Sequence, residues 1–244
     1  MALTIPNNPI KALASLPRGA PLDVPALKAL GVSSALASHY VRAGWLVRLG
    51  RGTFMFPNDV LQLSTSVKLL ASRGAVHVGG KTALAWRGFR HNLGPREQVC
   101  LWGEVPGRLP AWFTKRFPAR YVARHLFDSS LPRDFGLQPL PEAPDGALVS
   151  VPERALLELL SDVGTGQGVE EARNIMEGVR SLRLDVLGPL LKHCPRVKVV
   201  RLCVQWAEEL NLSWAAEARK LAGPRGKGRW FAKLPDGTTL ILKP

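Results

Sequence analysis

The amino-acid sequence predicts an α+β protein, with an N-terminal winged helix-turn-helix and a larger mixed α/β C-terminal domain whose last third is helical. Residues 23–56 place two capped helical segments before a pair of β-rich runs around glycines, which is the order of a winged helix-turn-helix. Residues 75–163 mix short apolar runs with helical patterns, and residues 169–221 are helical in pattern almost throughout. The length of 244 residues suits two domains, which we place at residues 1–60 and 61–244.

Capping and breaking residues define the first helices. Asn8 is predicted to cap a helix that ends near Leu16. The next helix covers residues 24–30, because the Asp23 carboxylate can accept hydrogen bonds from the free N–H groups of its first turn. Gly31 ends it, since glycine adopts the left-handed conformation that follows many helices.

A second helix is predicted over residues 34–43, with Ser33 or Ser34 as its cap and Gly44 as its end. Its helical spacing places Leu36, Tyr40 and Ala43 on the side that faces the core. The other side carries short hydrogen-bonding groups and one cation, suited to base edges and phosphates in a major groove: Ser34, Ser38, His39 and Arg42. The alternative is an ordinary solvated helix face.

The wing is predicted from residues 45–49 and 53–56, two β-rich runs joined by Gly50-Arg51-Gly52. Arg48 and Arg51 lie on this hairpin, where we expect them to contact the DNA backbone beside the second helix. Helix, turn, helix and basic wing occur together, and this combination favours DNA binding over a plain solvated surface.

The remaining elements follow from periodicity and from turn residues. A capping box of Ser150 and Glu153 is predicted to start a helix at residues 151–160. A terminal hairpin is predicted around Pro235-Asp236-Gly237. The other predicted helices cover residues 64–72, 81–86, 110–116, 169–179, 183–194, 196–210 and 213–221, and the other strands cover residues 75–78, 98–102 and 120–127.

Composition narrows the functional classes. The net charge of +14 favours a polyanionic partner, and the excess of Lys and Arg is spread along the chain. No apolar run approaches the roughly 20 residues that span a bilayer, and the N-terminus lacks a signal-peptide pattern, so no membrane partner is expected. The three cysteines have no metal-ligand spacing and are expected to be reduced, buried thiols of a cytoplasmic protein.

No candidate catalytic pattern in the sequence has the residues or the spacing that its chemistry requires. Gly79-Gly80-Lys81-Thr82 would be a phosphate-binding loop only with a glycine at position 75, which is Ala75, so we predict a tight strand-to-helix turn. The five histidines show no metal-site spacing, and no paired carboxylates lie near a histidine in sequence. Glu153 is explained as a cap. We therefore expect no enzyme activity, no catalytic or metal-binding residues and no cofactor.

A second basic group near the C-terminus is a candidate site for nucleic acid or for an acidic partner. It is interleaved with glycines, and the adjacent Trp230 is an aromatic ring that can stack on a base. We call it the C-terminal basic group: Arg219, Lys220, Arg225, Lys227 and Arg229. The alternative is a solvated, mobile loop.

The chain resembles the AbiEi-type antitoxins of type IV (abortive infection) toxin–antitoxin systems. The resemblance covers residues 6 to about 163, and it is carried by residues 43–54, by Val78-Gly79-Gly80-Lys81-Thr82-Ala83-Leu84-Ala85-Trp86-Arg87-Gly88, and by Val149-Ser150-Val151-Pro152-Glu153-Arg154-Ala155-Leu156-Leu157. It implies that the N-terminal domain binds operator DNA and represses its own operon. It also implies that the C-terminal domain counteracts a nucleotidyltransferase-like toxin, with no direct contact required.

Two other functions fit parts of the sequence. A winged-helix transcriptional regulator with an effector-binding C-terminal domain would change its operator affinity when a small ligand binds. An enzyme with a DNA-targeting domain, such as a nuclease, would cleave in a metal-dependent manner, and the absence of clustered carboxylates in the sequence disfavours it.

Overall fold

The computed structural model describes residue 13 and residues 16–74, 76–89, 98–234, 237 and 239–243. Ten helices lie within these ranges: α1 (Val24–Ala29), α2 (Ser34–Arg42), α3 (Leu63–Gly74), α4 (Gly80–Trp86), α5 (Ala111–Thr114), α6 (Pro152–Asp162), α7 (Val169–Gly178), α8 (Leu184–Lys192), α9 (Val197–Glu209) and α10 (Ala215–Ala222). Mixed helices and sheets confirm the predicted α+β class.

The strands are β1 (Leu22–Asp23), β2 (Val47–Gly50), β3 (Thr53–Met55), β4 (His77–Val78), β5 (Val99–Gly103), β6 (Ala119–Ala123), β7 (Leu137–Gln138), β8 (Val149–Ser150), β9 (Trp230–Lys233) and β10 (Thr239–Leu242). They form a three-stranded sheet in the order β1-β3-β2, a five-stranded sheet in the order β6-β5-β4-β8-β7, and the two-stranded pair β9 and β10.

The chain divides into two compact units. The first contains Met1–Ala75 and Arg108–Pro118, and the second contains Val76–Gly107 and Ala119–Pro244. The sequence-based boundary near residue 60 lies inside the first unit. The reason is that α3 is hydrogen-bonded to the wing: the Arg73 guanidinium donates to Thr53 Oγ1 at 2.8 Å and to the Gly52 carbonyl at 3.0 Å.

The first unit is a winged helix-turn-helix around a small apolar core. The Asp23 carboxylate accepts a hydrogen bond from the Ala26 N–H at 2.8 Å, as its capping pattern predicts. Gly31 follows α1 with a positive φ of 79°, which a side chain would strain. The buried core combines residues from β1, α1, α2, the wing and the segments beside them: Leu13, Leu22, Leu27, Val32, Ala37, Tyr40, Leu46, Phe54 and Phe56.

Two features of this unit differ from the sequence-based prediction. Strand β1 was not expected, yet Leu22 pairs with Phe54 and Asp23 with Thr53, so the wing sheet has three strands. The segment Arg108–Pro118 also belongs to this unit: a Cβ placed on Gly50 would lie 3.4 Å from Trp112 Cδ1. Both arise from contacts between residues distant in sequence.

The second unit is built on the five-stranded mixed sheet. Strands β5 and β6 are parallel along five residue pairs, β4 and β8 are also parallel, and the pairs β4–β5 and β7–β8 are antiparallel. The short strands β7 and β8 were not predicted, because two residues carry no readable alternation. The predicted strand over residues 120–127 is shorter, ending at Ala123.

Helix α6 is the central helix of this unit and packs against α4, α7, α8 and α9. It is buried on nearly every side, including Leu157 and Glu158, whereas the sequence predicted only an apolar stripe. A helix surrounded by other elements has no solvent-facing side, so its polar residues need partners within the protein.

The helical last third matches the prediction to within a few residues at each end of α7, α8, α9 and α10. Pro189 lies inside α8 without ending it. Most of the predicted helix at residues 8–16, the Pro235-Asp236 turn and His91 lie outside the described residues. Within the described ranges, no helix is both long and apolar enough to cross a membrane.

Candidate nucleic-acid interface

Helix α2 is oriented by its cap and by two buried side chains. The Ser33 hydroxyl accepts a hydrogen bond from the Leu36 N–H at 3.2 Å, so Ser33 is the cap. Ala37 and Tyr40 are buried, whereas Ala43 is exposed and Leu36 is only partly buried. The predicted inward face was therefore wrong at Ala43, because the helix ends at Arg42 and its register is set by Ala37 and Tyr40.

The opposite face of α2 is open to solvent. Ser34, His39 and Arg42 are exposed, and Ser38 is partly buried, with its hydroxyl donating to the Ser34 carbonyl at 3.0 Å. Arg42 forms no ion pair with any described residue. We call these four residues the recognition face. All four lie on one side of α2. In winged helix-turn-helix proteins the helix at this position is the one that enters the DNA major groove.

The wing, which follows α2 in the sequence, carries two further cations. Arg48 and Arg51 are exposed, and the Arg48 guanidinium lies 5.4 Å from the centre of the Phe54 ring. The Arg48 head group is thereby held by packing, while Arg51 lies in the turn between β2 and β3 without an ion pair among the described residues. An arginine held by an aromatic ring loses less side-chain entropy when it contacts a phosphate.

Sequence reasoning missed other groups on this unit. Trp45 is 47% exposed and stacks on Tyr40, with ring centroids 5.8 Å apart. The segment that packs under the wing adds the exposed cations Arg108, Lys115 and Arg116. Only tertiary contact reveals these cations as part of the first unit, because they lie more than fifty residues beyond the wing in sequence.

The C-terminal basic group is not a uniform set of free cations. Arg219 forms an ion pair with Glu208, and the Lys220 ammonium lies 2.6 Å from Glu217 Oε1. The Arg225 guanidinium donates to the carbonyls of Leu191 at 2.6 Å and Lys192 at 3.2 Å. Three of the five predicted binding residues are therefore engaged within the chain.

Lys227 and Arg229 are the members of the group that remain available. Both are exposed and form no ion pair among the described residues. Their loop is held from beneath by Arg201, whose guanidinium donates to the carbonyls of Arg225, Gly226 and Gly228 at 2.6, 2.9 and 2.5 Å. A buried arginine that binds three carbonyls fixes the loop, so these two cations project from a defined backbone.

Trp230 is not the exposed ring that the sequence suggested. It is partly buried, and the Lys198 ammonium lies 5.9 Å from its ring centre. Lys198 also donates to the Val163 carbonyl at 2.6 Å, and burial followed by the nearby Arg124 charge lowers its pKa. Trp230 therefore packs inward, and the exposed aromatic of this strand is Phe231, which is 66% exposed.

A buried polar network lies at the centre of the second unit. Glu158 Oε1 is 2.8 Å from His77 Nε2 and accepts from Arg154 Nε at 3.0 Å. Glu158 Oε2 accepts from the Gly80 N–H at 3.0 Å and from the Ser150 hydroxyl at 2.9 Å. Burial by itself would raise the pKa of Glu158, but His77, Arg154 and the Gly80 N–H lower it to about 2.

This network corrects the predicted capping box. It also contains a contact that no sequence pattern indicated: Glu158 lies beside His77, although the two are separated by 81 residues in sequence. Ser150 and Glu153 do not form a capping box: Ser150 binds Glu158, and Glu153 accepts from Arg183 Nη2 at 2.9 Å, while Val151 is the cap of α6. Strand β8 directly precedes α6, and the Ser150 and Glu153 side chains bind other side chains of the fold instead of the free N–H groups at the start of the helix.

The Glu158 network connects four elements of the second unit. It joins β4, β8, α4 and α6, and both carboxylate oxygens are fully hydrogen-bonded beneath the surface. The Gly80 N–H that a phosphate loop would use is donated to Glu158, in agreement with a tight strand-to-helix turn.

Cys100, Cys194 and Cys203 are free and buried, as expected. Among the described residues, no cluster of His, Cys, Asp or Glu could hold a metal ion.

A helix-turn-helix with a basic wing, in a chain with a second α/β unit, is an arrangement found in DNA-binding regulators. The chain belongs to the AbiEi antitoxin family of type IV toxin–antitoxin systems. The family model described as "Transcriptional regulator, AbiEi antitoxin, Type IV TA system" matches residues 96–237. The model described as "Transcriptional regulator, AbiEi antitoxin N-terminal domain" matches residues 7–94. The resemblance inferred from sequence is thereby confirmed, and it extends through the helical last third.

A solved structure supports the fold. The chain is similar to the RV2827C protein from Mycobacterium tuberculosis, with a TM-score of 0.56 and 14% sequence identity, over 91% of this chain and 87% of that chain. At this identity the likeness concerns the fold alone. No curated protein matches the chain.

Proposed function

We propose that this antitoxin binds operator DNA upstream of its own operon through the recognition face and the wing, and thereby represses transcription. Family membership supports the regulatory class, and the exposed polar and basic side chains of the first unit support the proposed DNA contacts. The observation that carries the proposal is the exposed face of α2, whose cation Arg42 has no ion pair among the described residues.

The side chains of α2 suit contacts with bases, and those of the wing suit contacts with phosphates. The hydroxyls of Ser34 and Ser38, the His39 ring and the Arg42 guanidinium are short or planar donors that can reach base edges. Arg48 and Arg51 project from the wing and suit phosphates, which carry no sequence information. Sequence preference therefore belongs to the helix, and salt-dependent affinity belongs to the wing.

A gel-shift titration of the full chain against its upstream DNA tests this proposal. We expect a specific complex that competitor DNA of scrambled sequence does not displace, and promoter activity in cells that falls when the protein is present. Equal affinity for scrambled and upstream DNA would contradict it.

We further propose that the second unit counteracts the toxin of the system, a nucleotidyltransferase-like enzyme, without requiring a stable complex with it. The available cations Lys227 and Arg229 support a role for the C-terminal basic group in binding nucleic acid or an acidic partner. Co-expression with the toxin, scored by growth, tests the activity. Co-purification tests whether the two proteins form a complex.

A second candidate function is favoured by a cavity in the second unit. The cavity has a volume of about 450 Å³ and is bordered by Arg201, Arg219, Arg225 and Lys243, with Val200 and Val204 as an apolar wall. Arg201, Arg219 and Arg225 already have partners within the chain, so a small anionic effector of a regulator would bind here by adding to those contacts or by replacing them. Operator affinity that changes when a cellular metabolite extract is added, and reverts after dialysis, would support this alternative.

A further inference from the structure

The terminal pair of strands presents one face entirely to solvent. Strands β9 and β10 are antiparallel, and Ile241 lies directly opposite Phe231 in the register. Residues on one face of a strand recur every second position. All six residues on the outward face of this ribbon are exposed: Arg229, Phe231, Lys233, Thr239, Ile241 and Lys243.

The other face of the ribbon is packed inward. Leu240 and Leu242 are buried, and Trp230 and Ala232 are partly buried. The ribbon is also fixed at its edge, because the Gln205 side chain accepts from the Lys243 N–H at 3.1 Å and donates to the Ile241 carbonyl at 3.4 Å. The outward face is thus held in place by the fold, and its exposure is a property of the packed unit.

The exposed face combines an aromatic centre with cations, and none of the six described residues that form it is acidic. Phe231 is 66% and Ile241 50% exposed, and because they are directly opposite in the register they form one exposed apolar pair. Arg229 and Lys233 form no ion pair among the described residues. Lys227 lies just before the ribbon and adds a further exposed cation.

We propose that this outward face binds single-stranded nucleic acid, with a base stacked on Phe231 and the phosphates contacted by Arg229, Lys233 and Lys243. The proposal deepens the role suggested above for the C-terminal basic group, on which it rests, and names its ligand. Proteins that bind single strands combine an exposed aromatic ring with cations that follow the backbone, and this face has both.

An acidic protein fits the face less well. Stable protein interfaces bury a contiguous apolar centre within at least about 1,000 Å² of surface, and here the apolar centre is one cross-strand pair. A single ring between cations suits a base and its flanking phosphates. The paired bases of a duplex are not available for such stacking, so the face discriminates single strands from double strands.

The test uses the full chain and a labelled RNA or DNA single strand about 12 nucleotides long, with binding read by fluorescence anisotropy. Phe231→Leu keeps an apolar side chain but removes the ring, and we expect it to weaken binding by about tenfold or more. Phe231→Trp is expected to keep or improve affinity. Phe231 is exposed and has a single cross-strand partner, Ile241, so either variant should shift thermal unfolding only slightly. Val105→Ala, at another exposed apolar residue, is the control.

Operator binding separates this inference from the proposed function of the first unit. Arg42→Ala should weaken duplex operator binding and leave single-strand affinity unchanged, whereas Phe231→Leu should do the reverse. Equal affinity of Phe231→Leu and wild type for the single strand would overturn the inference. So would displacement of the strand by polyglutamate at equal charge concentration, which would show an unselective anion surface.

Discussion

Arg42 is the cation of the recognition face, and its exposed guanidinium has no competing carboxylate among the described residues. If it contacts a base edge, Arg42→Ala should weaken specific operator binding by about 1–3 kcal/mol and relax preference at one position of the site. If it contacts a phosphate, the loss should be smaller and equal for all sequences. Competition gel shifts measure both.

The control for Arg42 is Arg180→Ala, which removes the same charge from an exposed site in the second unit, where the guanidinium lies 3.9 Å from Glu177 Oε1. It should leave operator affinity within error of wild type at moderate salt. A loss as large as that of Arg42→Ala would show that overall charge, and not the recognition face, determines binding.

The wing arginines should act on affinity without sequence preference. Arg48→Ala and Arg51→Ala are each expected to lower specific and non-specific DNA affinity together, and to reduce the log–log salt slope by about 0.9 for each phosphate that the variant no longer neutralises. Arg48 also packs on Phe54, so only Arg51→Ala isolates the charge. Unchanged slopes in both variants would show that the wing does not bind the DNA backbone.

Among the elements, the buried Glu158 network holds β4, β8, α4 and α6 together. Glu158→Gln leaves the buried Arg154 without its carboxylate, which should lower the free energy of unfolding by about 3–5 kcal/mol. Glu217→Gln removes an exposed carboxylate paired with Lys220, and it should cost less than about 1 kcal/mol. Urea denaturation compares the two variants.

The same network gives a pH dependence of defined sign. The pKa of Glu158 is lowered from 4.5 to about 2, so its carboxylate stabilises the folded state fully above pH 4.5. That contribution is lost as the pH falls toward 2. The stability difference between wild type and Glu158→Gln should therefore shrink steadily over this interval. A constant difference down to pH 2 would contradict the assignment.

The strand-to-helix turn before α4 is equally constrained. A Cβ on Gly79 would overlap Glu158 Oε2 and lie 2.5 Å from Trp102 Cδ1. Gly79→Ala should therefore lower the free energy of unfolding by about 1–3 kcal/mol. Gly178→Ala is the control, because a Cβ there meets no atom within 4 Å, and the exchange should be neutral or slightly stabilising. A neutral Gly79→Ala would show that the turn is looser than its close approaches indicate.

For the whole molecule, repression and toxin rescue should separate by unit. Point variants of the full chain suit this test, because the first unit includes Arg108–Pro118 and a chain cut at residue 60 would lack part of it. Arg42→Ala is expected to release the promoter while cells expressing the toxin still grow. Lys227→Ala with Arg229→Ala should weaken rescue and leave the promoter repressed.

The paired cations of the basic group supply the control for that experiment. Arg219 and Lys220 already bind Glu208 and Glu217, so replacing both by alanine should affect rescue less than the Lys227 and Arg229 pair. Rescue that falls equally in both double variants would indicate that net charge matters and that the free cations have no special role. Loss of repression in either would overturn the proposed division between the units.

The sequence by itself determined the local elements and the family. Caps such as Asp23, stops such as Gly31, and helical periodicity act within a few residues, so the helix-turn-helix, the wing and the helical last third were all readable. The exposure of one face of α2 was also predictable, since an amphipathic helix has one face to bury and one to expose. Only Ala43 was placed on the wrong side.

Only the tertiary structure decided which distant residues meet. The segment Arg108–Pro118 joins the first unit, Glu158 meets His77 across 81 residues, and Ser150 and Glu153 leave a predicted capping box for tertiary partners. The tertiary structure also determines which C-terminal cations form ion pairs and which remain available. It buries part of Trp230 and leaves Phe231 as the exposed ring. The physical reason is that burial and ion pairing depend on what packs against a residue, and local sequence patterns do not encode contacts between distant segments.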